Sequence, residues 1–145
     1  MTPKPGPRNQ PSPALLCTGA GLTGLITLLP LIDQGILADH IKAGYPAYEP
    51  GAISAAVTAY LVILSAVGGL GILGWLSVAW AARVGKRWAH PLAIGLLAAA
   101  VCFAIAALTV RDTSGDVGLA PLLGWLQVLP CAAGLAAIVL RRSTR

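Results

Sequence analysis

Four stretches of this chain, residues 14–32, 50–82, 91–110 and 117–140, contain no Asp, Glu, Lys or Arg. The charged positions gather in the short segments between them. A helix crossing the hydrocarbon core needs about 20 apolar residues, and only helices and closed barrels satisfy their own backbone groups there. The pattern predicts an all-α membrane protein, an antiparallel up-down bundle of four transmembrane helices at 14–32, 52–82, 91–110 and 117–140. Residues 33–51 form the long loop between the first two. The second stretch is too long for a perpendicular crossing. Its length is about 50 Å at helical rise against a core of about 30 Å, so it must tilt or project.

The loop is not uniformly polar. Ile36, Leu37, His40 and Ile41 share one face of a short helix, with Asp39 and Lys42 on the other, a pattern that suits a helix lying on the membrane surface. Tyr45 and Tyr48 follow at a height where an aromatic ring sits between lipid and water. Pro50 fits the first turn of the next helix. Trp75, Trp80 and Trp88 read as an aromatic belt at the opposite membrane surface. The turn at 83–90 and the RDTSGD turn at 111–116 are short, which makes spans two, three and four consecutive antiparallel neighbours. Residues 1–13 carry five prolines and almost nothing apolar, and are expected to be a disordered tail. The first apolar run, 19 residues long, exceeds the roughly 7–15 of a signal peptide and lacks an A-x-A exit, so it is expected to be a retained helix.

Charge supplies an orientation. Threading the four spans puts Lys4, Arg8, Arg83, Lys86, Arg87, Arg141, Arg142 and Arg145 on one face with no acid. The other face holds all five acids and only Lys42 and Arg111. By the positive-inside rule both termini, including the basic tail 141–145, are expected in the cytoplasm, with the spans in a bacterial inner membrane. The net charge of +5 then carries no nucleic-acid signal, because the basic residues flank spans beside lipid headgroups instead of forming a phosphate-tracking groove. A hydrophobic content of 57%, a charged content of 10% and a mean hydropathy of +0.78 exclude soluble composition, where charge is about a quarter. The expected partners are the lipid bilayer, a second copy, or another membrane protein.

Each span carries a stripe of small or weakly polar residues that permits close helix approach. The stripes are Cys17, Gly21 and Gly24 beside Thr23 and Thr27; Ser54, Thr58, Ser65, Gly68 and Gly69; Gly95, Ala99, Cys102, Ala106 and Thr109; and Gly124, Gln127, Cys131 and Gly134. Packing seams are the expected use, which for the third span places Leu97 and Val101 toward lipid. Gln127 is the one amide inside any span, about 12 Å below the loop-side boundary. It needs a partner at that depth. Thr23, Thr27 and Thr58 lie at comparable depths, so an interhelical hydrogen bond is one expectation and contact with a polar ligand or permeant species the other.

Catalytic chemistry is missing from the sequence. No carboxylate sits within a span, His40 and His90 fall on opposite sides, and the three cysteines form no C-x-x-C pair. No H-E-x-x-H, G-x-S-x-G or P-loop pattern occurs. No catalytic residue, metal ligand set or cofactor is therefore assigned. Asp33, Asp39, His40, Glu49, Asp112 and Asp116 gather on the loop side, where they are either solvated loop charge or a site for a divalent cation or partner. The segments AAVTAYLVILSAVGGLGILGWL, GKRWAH and DTSGD…PLLGWL…LPC resemble a group of small four-span bacterial membrane proteins of unknown function. That resemblance covers most of the chain after the tail and implies the topology, with no activity attached. The expected role is non-enzymatic: packing, lipid contact or association with a membrane partner. The alternative is a binding or permeation module built on a cavity near Gln127.

Overall fold

The computed structural model describes residues 10–140. The expectations for residues 1–9 and for the basic tail 141–145 lie outside the described residues. Six helical segments follow in order: α1 (Pro13–Ile32), α2 (Gly35–Gly44), α3 (Pro50–Arg83), α4 (Ala89–Thr109), α5 (Pro121–Leu126) and α6 (Val128–Val139). Helix α2 is short, and α5 with α6 makes one interrupted span, so four helices are long and apolar enough to cross a membrane. This is an all-α membrane bundle. Its outer surface is apolar, with Leu25 67% and Leu70 70% exposed, the reverse of what a protein surrounded by water presents.

Two local devices set the connections. Helix α3 stops because Gly85 takes a φ of 71°, and Lys86 and Gly85 return their N–H groups to the carbonyls of Ala81 and Ala82. That pairing is the Schellman arrangement, which suits a residue without Cβ. Between α4 and α5, Arg111 bridges Val117 antiparallel while Gly115, at φ 86°, closes the loop. The hairpin consumes 117–120, so the fourth span begins at Pro121 and not at 117. Residues 10–12, expected to belong to a free tail, pack on the bundle. Pro11 is buried and the Ser12 N–H donates to the Ala137 carbonyl at 2.9 Å.

Two cores lie at opposite ends of the bundle. At the end carrying the α3–α4 turn, Leu16, Ala20, Trp75, Val78, Ala79, Ala81, Ala82, Ala89, Ala93 and Ala137 pack together. Trp75 is 2% exposed, which corrects its assignment to an aromatic belt; Trp80 and Trp88 are exposed at this end. The indole lies in a slot between glycines of two other helices. A Cβ at Gly19 would sit 3.5 Å from the ring, and one at Gly134 would overlap it. At the other end α2 lies across the bundle. Leu37 and Ile41 pack with Val57, Ala120 and Leu123 while Asp39 and Lys42 stay exposed. The amphipathic helix is therefore present as expected, and its apolar face is covered by protein. The extra length of α3 serves this purpose, since its first turns stand beside α2.

Helix α4 is rotated relative to the expectation. Gly95, Ala99, Cys102, Ala106 and Thr109 are all exposed, whereas Ala89, Ala93 and Ala104 are buried and Leu97 is half-buried. Small residues occupy two faces of this helix, and the neighbouring Gly134 leaves room for Leu97, so the second face packs. The fourth-span stripe does pack: Gly124, Cys131 and Gly134 are buried.

Candidate functional site

Between the two cores the helices leave a cavity of about 220 Å³. Helix α1 contributes Thr23, Ile26 and Thr27, and the fourth span contributes Leu123 and Gln127. Helix α3 gives Gly68, Gly71 and Trp75, and α4 gives Leu96, Ala99 and Phe103. Gly68 belongs here for a steric reason, since a Cβ would run into the Thr27 side chain. Among the described residues no Asp, Glu, Lys, Arg or His lines the space. Of the four residues expected at an intramembrane polar site, Gln127, Thr23 and Thr27 meet at this cavity. Thr58 does not: it is exposed nearer the α2 end.

The expected hydrogen bond between Gln127 and a threonine is absent. Thr23 donates to the Gly19 carbonyl at 2.8 Å and Thr27 to the Thr23 carbonyl at 2.7 Å. Thr58 likewise returns its proton to Ser54 at 2.9 Å. Threonine satisfies itself on the preceding helical turn at no cost in geometry, so its proton is not free to cross to another helix. Among the described residues no side-chain partner for Gln127 is present. An amide without a partner in an apolar setting costs about 1–3 kcal/mol on the scale of protein mutations.

The backbone around this cavity is also loosened. The fourth span is interrupted at Gln127, three residues before Pro130, which has no N–H to return to the Leu126 carbonyl. In α1 the buried Pro30 has none for the carbonyl of Ile26, a cavity residue. Sequence reading singled out Gln127 as the one amide within a span. It missed the paired effect of Pro30 and Pro130, although both prolines were visible within apolar runs.

A second recess of about 250 Å³ shares Leu64, Phe103 and Leu119 with the first, and runs along α3 and α4 past Ile63, Ala106 and Val110. Below it, Gly74 faces Leu96 closely and the two helices are in contact. The recesses therefore lie on one seam, between α3 and α4, flanked by exposed Leu70, Ile63 and Ala99.

The loop-side charged residues are not brought together. Asp33 accepts the Gly35 N–H at 3.0 Å at the start of α2. Asp39 and Glu49 are exposed apart from it. His40 donates from Nε2 to the Val117 carbonyl at 2.7 Å, and Tyr45 shares a hydrogen bond with Thr113 at 2.5 Å while accepting the Ser114 N–H at 3.2 Å. His40, Asp112 and Asp116 border a recess of only about 10 Å³ under Tyr45. Among the described residues no three of His, Cys, Asp or Glu are grouped to hold a metal ion. These contacts fasten α2 onto the α4–α5 hairpin. Asp112 has its carboxyl held below the ordinary range, first by the Thr113 backbone N–H and then by the Tyr45 hydroxyl.

Comparison of the chain with protein-family models, curated proteins and solved structures finds no match. The geometry therefore carries the functional reading by itself.

Proposed function

We propose that this is a non-enzymatic multi-pass protein of a bacterial cytoplasmic membrane, with both termini cytoplasmic, that takes up a lipid-phase molecule in the cavity beside Gln127. The observation that carries the reading is where the cavity lies. Leu119 and Leu123 close it toward α2, Trp75 and Leu96 close it toward the α3–α4 turn, and the α3–α4 seam leaves it reachable from the side. A permeation path needs continuity from end to end, and packed side chains stand across both ends. Lateral access favours a molecule already dissolved in the bilayer. Arg83, Lys86 and Arg87 on the α3–α4 turn, with no acid beside them in sequence, support placing that end in the cytoplasm.

The test is purification in mild detergent followed by mass spectrometry of what co-purifies. The wild-type protein is expected to retain an apolar molecule, and Ala99→Trp, which fills the cavity from its exposed wall, is expected to lose it. Equal retention by both would remove the reading. A larger membrane protein at stoichiometric yield, with the cavity empty, would replace it by a partner-binding role.

A further inference from the structure

The cavity's polar groups are few and uncharged, and that points to a ligand chemistry. Its lining carries no charged side chain. A carboxylate, phosphate or ammonium head entering it would shed hydration and meet no counter-charge. The Gln127 carboxamide offers two N–H donors and one carbonyl oxygen, none engaged among the described residues. Besides it the lining carries one more side-chain donor, the Trp75 indole N–H, and two threonine hydroxyls. The Thr23 and Thr27 hydroxyls have given their protons to α1 and keep only lone pairs.

We propose that the cavity selects a lipid-phase alcohol: an uncharged hydroxyl head on the Gln127 carboxamide, with its apolar tail along the α3–α4 seam. A hydroxyl both accepts from the amide N–H and donates to the carboxamide oxygen or a threonine lone pair, whereas a hydrocarbon does neither. Size agrees. A cavity of roughly 150 Å³ lined by apolar side chains already admits benzene, so about 220 Å³ takes a head and the first carbons. The remaining tail has the second recess of about 250 Å³, past Phe103 toward Val110. This inference rests on the binding function proposed above.

Trp75 lines the cavity and supplies the readout. The full chain with Trp80→Phe, Trp88→Phe and Trp125→Phe, reconstituted in vesicles, reports on that one indole. Three probes brominated at the second carbon, dodecanol, dodecane and dodecanoate, are titrated at equal mole fractions in the lipid, since bromine quenches a nearby indole. Dodecanol is expected to quench at about fivefold lower mole fraction than dodecane, the size of one or two net neutral hydrogen bonds. Dodecanoate at neutral pH is expected to be the weakest. Gln127→Leu is expected to bring the alcohol curve onto the alkane curve without shifting the latter. Coincident alcohol and alkane curves in the Gln127 protein, or a carboxylate as potent as the alcohol, would overturn head-group selection while leaving cavity binding intact. Quenching by no probe, with a companion protein retaining only the exposed Trp125 quenched normally, would overturn both. Because the alcohol–alkane comparison is made with Gln127 in place, the result stands even if the leucine variant folds poorly.

Discussion

The two ends of this bundle are built from different materials. At the α3–α4 turn, alanines from α1, α3, α4 and α6 meet around one indole, and the helices come close enough that Gly19 and Gly134 flank its ring. At the α2 end, leucine and isoleucine side chains fill the contacts, and a separate short helix closes the gap. In lipid, leucine is no better hidden against protein than against acyl chains, so close backbone approach is what holds helices together. Where small residues line up, the spans seal; where they do not, recesses open and a lid is needed. The cavity lies at the changeover between the two.

The sharpest way to break this comparison is at the indole slot. Gly134→Ala places a methyl group into the Trp75 ring, and overpacking of this kind costs about 1–3 kcal/mol, here at the upper end. Gly19→Ala meets the opposite ring face at an ordinary 3.5 Å and gains up to about 1 kcal/mol of helix propensity. Denaturant unfolding in mixed micelles should therefore show opposite signs for the two alanines. Equal losses would mean the slot is not formed by close approach.

A second pair contrasts the sealed face of α4 with its open one. Ala93 is fully buried at the turn end, and Ala99 is exposed beside the cavity. Leucine at 93 should cost about 1–2 kcal/mol, and leucine at 99 less than about 0.5 kcal/mol, because acyl chains and an unfilled recess yield to it. Thermal unfolding of both variants checks the rotation of the helix directly. Gln127→Leu comes next. It removes an amide with no protein partner, so it should raise stability of the ligand-free protein by about 1 kcal/mol. A loss of that size would show that Gln127 is paired in the protein as it stands in a bilayer.

The four apolar spans and the amphipathic face of α2 were legible in the sequence because each rests on a contrast between apolar and charged positions. Helix α4 offers no such contrast. Both of its candidate seams are alanine-rich, and lipid and protein are equally apolar, so periodicity cannot say which one packs. Trp75 was misplaced for a related reason. Its slot is made by Gly19 and Gly134, more than fifty residues away on either side, and sequence position near a span end suggests an interface instead. For Gln127 the place within an apolar span was readable and the partner was not, since the self-satisfaction of Thr23 and Thr27 depends on side-chain rotamers. The start of the fourth span was missed because apolar Val117, Leu119 and Ala120 join the hairpin.

The smallest expected effect concerns the lid, and it tests whether α2 is fastened by more than apolar contact. Asp112 is exposed, but its carboxyl is held below the ordinary value of 3.8 by the Thr113 N–H and the Tyr45 hydroxyl, so its ionised form favours the closed hairpin–lid contact. A group with a lowered value in the folded state contributes fully above its ordinary value and loses that contribution as pH falls through the lowered one. His40 and Asp116 border the same recess, so acidification alone would mix several groups. Hydrogen exchange of residues 35–44, corrected for intrinsic rates, should show constant protection from pH 7 to about 4 in the part due to Asp112, then a fall. Asp112→Asn should lower protection at neutral pH slightly and remove that part of the acid dependence, leaving the span amides unchanged. An acid profile identical in the two proteins would mean that Leu37 and Ile41 alone hold α2 against the bundle.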